Sequence, residues 1–136
     1  MTEHSTGLWT SDAIQRLHEK GNLSSSGQLA KRWHESALEI ERLNSRLATL
    51  TDDKIMASRI RHMRDDQANA CRLYAERLAS TPARSATDLV WKLLIATDIK
   101  PENEDALKIS QSVSRSALDD LLRFLRLSSK TESADA

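Results

Sequence analysis

His34 and Glu35 stand side by side in a stretch of helical composition. In zinc-hydrolase helices such a pair is completed by a second histidine one turn on, which holds the metal while the glutamate activates water. Here that position is Leu38, and His4, His18 and His62 are scattered, so no local spacing assembles a ligand set. Cys71 is the only cysteine. It would act as a nucleophile only beside a group that lowers its thiol pKa, and no histidine or motif accompanies it. Its place next to an apolar seam reads as that of a small packed hydrophobe. Asp52 with Asp53, Asp65 with Asp66 and Asp119 with Asp120 are adjacent pairs. Neighbouring residues splay around a helix, so these carboxylates do not converge as an acid/base pair, and capping or solvent roles suffice for them. No glycine-rich phosphate loop or serine nucleophile elbow occurs. The chain reads as a non-enzyme, with no cofactor and no metal.

Arg59, Arg61 and Arg64, with His62 between them and Lys54 nearby, form the densest basic cluster. Basic side chains on one helix face can meet nucleic-acid phosphates. Asp65 and Asp66 follow at once, and Arg61 lies one turn from Asp65, so a solvated face with local pairing competes with the DNA reading. The last two helical segments can also be read as a helix-turn-helix, although Asp119 and Asp120 on the would-be recognition helix repel phosphate. Trp9, Trp33 and Trp91 fall on three separate segments with no basic residues interleaved, so they read as packing residues rather than a stacking platform.

Twenty basic and twenty acidic residues cancel over 136 positions, so no net field draws the chain to nucleic acid or an anionic membrane. Three Gly, two Pro and 29% charged residues match a helical protein with solvated outer faces. A single cysteine, a polar Met1–Gly7 lead and no apolar run of spanning length give the expectation of a cytoplasmic protein without a membrane segment.

The elements that would position these residues are legible in the apolar spacing. Leu29, Trp33, Ile40, Leu43, Leu47 and Leu50 recur in steps of three, four and seven, as do Met56, Ile60, Met63, Ala70 and Tyr74. A reversal near Thr51 and Asp52 pairs Leu47 with Met56, Leu43 with Ile60, Ile40 with Met63, Trp33 with Ala70 and Leu29 with Tyr74, the layering of an antiparallel coiled coil. The expected fold is all-α: a long antiparallel helical hairpin at about 28–79, a short N-terminal helix at about 11–21, and three C-terminal helices packed on the hairpin within about 86–127. Residues 1–127 form one domain, and the polar stretch 128–136 is expected to be a flexible tail.

Ser85 and Asp88 have cap spacing before a helix that is apolar nearly all round, through Leu89, Val90, Trp91, Leu93, Leu94 and Ile95. Pro101 with Glu102, Glu104 and Asp105 reads as a helix start reaching about Val113. Ser116 with Asp119 reads as another, carrying Leu118, Leu121, Leu122 and Leu125.

From about Gln28 to Ile95 the chain resembles a group of small bacterial proteins, frequent in alphaproteobacterial genomes, in which a helical hairpin precedes a proline linker. The residues that carry the resemblance are Ala79, Ser80, Thr81, Pro82 and Ala83, followed by Ser85, Leu89, Lys92 and Leu93. It implies the hairpin and no activity. The functional expectation is a non-catalytic protein-interaction module, able to self-associate into an oligomer, using Leu89, Trp91, Leu94, Leu118, Leu122 and Phe124. The alternative is a DNA-associated accessory or regulatory protein using Arg59, Arg61 and Arg64.

Overall fold

The structure is a computed structural model and describes residues 24–50 and 52–135. Four helices occur among these residues: α1 (Ser25–Thr49), α2 (Lys54–Ser80), α3 (Ala86–Asp98) and α4 (Glu104–Asp135). The fold is all-α. The expected short N-terminal helix, with Trp9, lies outside the described residues.

Local chemistry sets the helix starts. Ser24 caps α1, its hydroxyl oxygen accepting from the Gly27 amide at 3.1 Å, and the Asp53 carboxylate caps α2 by accepting from the Met56 amide at 2.9 Å. Each satisfies an amide that the first helical turn leaves without a partner. Ser85 caps α3 through the Asp88 amide at 3.2 Å, and Asp88 in turn accepts from the Arg84 amide at 2.9 Å, a reciprocal arrangement like a capping box. Helix α4 does not begin at Pro101. The Asn103 side chain accepts from the Ala106 amide at 2.8 Å, so Pro101 stays in the connection.

Two contacts cross from α1 to α2. The Cys71 thiol donates to the Trp33 carbonyl at 3.6 Å, and Arg64 donates to the Asn44 side chain at 3.2 Å. As the α1 partner moves forward along the chain the α2 partner moves back, so the two helices run antiparallel. The buried or half-buried positions of α2 are Met56, Ala57, Ile60, Arg64, Gln67, Ala70, Cys71, Tyr74, Ala75, Leu78 and Ala79, which include Met56, Ile60, Ala70 and Tyr74 of the row read in the sequence. Met63, expected opposite Ile40, is 46% exposed. Next to it, Arg64 is half-buried and its guanidinium reaches Asn44.

The main core joins all four helices at the open end of the hairpin, where Ala30 and Trp33 meet Ala75 and Leu78, Trp91, Leu94 and Ile95, and Val113. Towards the 50–53 turn, Leu43, Ala57 and Ile60 are buried while Ile55 stands in solvent.

Two helices, not three, follow the linker. The segments expected to be separate around Val113 and Ser116 are one continuous helix, which removes the turn that a helix-turn-helix needs. No Gly or Pro interrupts the stretch, and Ser116 does not cap a helix: its hydroxyl accepts from Lys92 at 2.8 Å. The backbone of α4 also stays helical beyond residue 127, where the sequence led to the expectation of a loose tail. Adding residues to an existing helix costs far less than nucleating a new one.

The contact between α3 and α4 is partly ionic. Lys92 is fully buried, and its ammonium pairs with the carboxylate of Asp120, itself 6% exposed. Arg123 donates to the second Asp120 oxygen at 3.2 Å and to the Ala83 carbonyl before α3. Breaking a buried pair by removing one partner leaves an uncompensated charge, at a cost of about 3–5 kcal/mol. Asp120→Ala is therefore expected to lower unfolding stability by about that amount in urea titration, whereas Lys92→Met with Asp120→Leu stays within about 1–2 kcal/mol of the parent or exceeds it. Equal losses in both variants would remove the ionic account of this contact.

Candidate functional site

Rotation of α4 decides which of its side chains meet solvent. Val113, Ala117 and Asp120 share its buried face, at spacings of four and three, and Ile109 and Phe124 extend that face half-buried. These are mostly small or medium residues, so α3 can approach closely enough for Lys92 to reach Asp120. The larger leucines are turned aside. Leu118, Leu121, Leu122 and Leu125 are 54%, 41%, 42% and 57% exposed. Their spacing of i, i+3, i+4 and i+7 makes one continuous stripe along the helix.

Six residues were expected to supply apolar contact surface, and the structure divides them. Trp91 and Leu94 are buried in the core, so they are corrected to packing residues; each faces the hairpin from the inner side of α3. Leu89 is half-buried, while Val90 and Leu93 form the exposed side of that helix. Phe124 is half-buried, with the Arg123 guanidinium 5.2 Å from its ring centre. Leu118 and Leu122 lie on the exposed stripe, where the structure adds Leu121 and Leu125 to them. The sequence shows all four leucines as one stripe, but the pattern alone carries no sign that the smaller Val113–Ala117–Asp120 face is the one covered.

The basic cluster is dispersed. Arg64 is half-buried, bonded to Asn44 and 3.8 Å from Asp65, while Arg59 and Arg61 are exposed. At about 100° per residue, Arg59 and Arg61 point to nearly opposite sides of α2, so the three guanidiniums do not form one phosphate-facing row. Asp65 is near Arg64, not the Arg61 suggested by helix spacing.

A cleft of about 470 Å³ lies between the hairpin and the connection from α3 to α4, with Trp33, Ile40 and Ile109 among its apolar walls and Glu41, Arg72 and Asp98 among its polar ones. Cys71 also lines it. Burial pushes the Cys71 thiol up to about 11, so it stays protonated near neutral pH and acts as a donor to Trp33 rather than as a nucleophile. Asp98 is raised as well, chiefly by desolvation and further by Glu41, against the pull of His34 and Lys100. It is also the last residue of α3, where the helix dipole disfavours a negative charge. Among the described residues no group of three His, Cys, Asp or Glu side chains could hold a metal ion, and no helix is long and apolar enough to cross a membrane.

Two measurements test these electrostatics. A carboxyl whose folded pKa is raised destabilises the fold once pH exceeds its unfolded value, and that penalty disappears as pH falls below it. Asp98→Asn is thus expected to raise the melting temperature at neutral pH, with the gain fading below about pH 4. A gain independent of pH would show that charge is not its cause. For Cys71, iodoacetamide alkylation of the folded chain at pH 8 is expected to run about a hundredfold slower than for an exposed cysteine, recovering in urea. Rapid labelling without denaturant would contradict the raised thiol. No protein-family model, curated protein or solved structure matches this chain.

Proposed function

We propose that this protein is a non-catalytic helical interaction module whose docking surface is the leucine stripe of α4. The observation that carries the reading is the outward placement of Leu118, Leu121, Leu122 and Leu125 on a helix whose other face is already packed. Exposed leucines scattered singly need no explanation, whereas a contiguous run of four marks a surface made for contact. The absence of an activated nucleophile at Cys71 and the dispersal of Arg59, Arg61 and Arg64 favour this reading over catalysis and over DNA binding.

Replacing Leu118 and Leu125 together by Glu tests it. The variant is expected to keep its helical circular dichroism and its melting temperature to within a few degrees, because neither side chain is in the core. It is expected to lose the contacts that the wild-type chain makes, read as chemical crosslinks and co-purifying proteins from native lysate. Contacts that survive the double substitution unchanged would place the docking surface elsewhere.

A further inference from the structure

We propose that the cleft at the end of α3 is a binding site for a small organic cation, an amine whose ammonium is held by Asp98 and Glu41 and whose apolar body lies against Ile40 and Ile109. The site is distinct from the leucine stripe and stands without it. Small-molecule sites are concave and mostly apolar, with a few polar groups that fix orientation, and about 470 Å³ is an ordinary size for one. Ile40 from α1, Cys71 from α2, Ile99 from the connection and Ile109 from α4 line the cleft, and all four are only half-buried. The apolar surface they still expose gains by being covered.

Charge decides what kind of molecule covers it. Glu41, Asp98, Glu102 and Asp105 line the cleft together with Arg72 and Lys100, so carboxylates outnumber cations there. None of these six side chains forms an ion pair among the described residues. Five of them are exposed and screened by water, whereas Asp98 is half-buried, so its charge acts most strongly on a bound molecule. A carboxylate in such a place ordinarily finds donors, as Asp88 does in Arg84 and Ser24 at the other end of the same helix. Asp98 has no hydrogen-bond donor among the described residues. Burial and Glu41 both oppose its charge, with Lys100 and His34 pulling the other way. The backbone adds to the same negative potential. The amide that would bond the Thr97 carbonyl one turn on is missing, because residue 101 is Pro. The amide that would bond the Asp98 carbonyl is that of Glu102, which donates to Lys100 instead, at 2.8 Å. The carbonyl end of α3 therefore stands at the edge of the cleft, where a helix dipole favours a cation. Two carboxylates and a helix end beside apolar walls match the two halves of an amphiphilic amine.

Titration of the full chain with phenethylamine and with hexylamine, followed by amide NMR, tests the proposal. Saturable shifts are expected at the amides of Ile40, Cys71, Asp98 and Ile109 for at least one of the two amines. Phenylethanol, which keeps the ring and replaces the ammonium with a hydroxyl, and the anion hydrocinnamate are each expected to bind about tenfold more weakly than phenethylamine. Asp98→Asn is expected to weaken the amine about tenfold, and Glu41→Gln by a smaller factor, both with unchanged circular dichroism. Because Asp98→Asn is expected to stabilise the fold, its loss of binding is not a loss of structure. The Leu118 and Leu125 double substitution is expected to bind the amine as the parent does, which separates this site from the docking surface. Absence of saturable shifts with both amines at about 10 mM overturns the proposal. So does equal binding of phenylethanol, tighter binding of hydrocinnamate, or an Asp98→Asn chain that binds as the parent does.

Discussion

The buried Lys92–Asp120 pair sets how α4 is turned, and the orientation of everything exposed on that helix follows from it. An ammonium with no accessible surface has no water to fall back on, so its partners must come from the protein. They come from α4, as the Asp120 carboxylate and the Ser116 hydroxyl. Arg123 engages the other Asp120 oxygen and fastens the same turn to Ala83 ahead of α3. Turning α4 to bury its leucines would carry Asp120 towards solvent and strand Lys92, at about 3–5 kcal/mol, and would expose Val113 and Ala117 as well. Completing the burial of four half-exposed leucines is worth a comparable amount at roughly 25 cal/mol per Å². One chain alone cannot take both gains, whereas contact through an outside surface lets the ion pair stay where it is while the leucines leave water.

The two aspartates of α3 show how position decides the value of a carboxylate. Asp88 sits in the first turn, accepts from the Arg84 amide and from the Ser24 hydroxyl, and so lies between the amino-terminal ends of α3 and α1. Both helix dipoles favour a negative charge there. Through Ser24, which caps α1, it also ties the start of the hairpin to the start of α3, 64 residues later in the chain. Asp98, at the opposite end of the same helix, meets the unfavourable pole, partial burial and Glu41. The fold thus gains order from one of these side chains and loses stability to the other.

What the sequence reveals and conceals follows from the range of each interaction. Caps act over three or four residues, so Asp53 and the Ser85–Asp88 pair are readable in place. The period of the hairpin arms is readable for the same reason. The seam of α2 is less so at one layer, where the polar Arg64 and Gln67 are half-buried while Met63 is exposed. The continuity of α4 is obscured by Ser116 and Asp119, whose spacing imitates a cap although no residue nearby stops a helix. Lys92 and Asp120 are 28 residues apart with no local signature joining them. Their pairing, and with it the outward turn of the leucines, emerges only once α3 and α4 are laid side by side.

A surface stripe of leucines also raises the question of why such a chain should not polymerise. Open-ended assembly needs two different patches that fit each other, so that each added copy leaves the complementary patch uncovered. The stripe on α4 instead fits its own reversed image. Other exposed apolar residues stand at other spacings: Leu38 on α1, Ile55, Met63 and Leu73 on α2, Val90 and Leu93 on α3, and Leu107 and Leu127 elsewhere on α4. None of these repeats the i, i+3, i+4, i+7 leucine spacing, so none offers a second copy of that stripe.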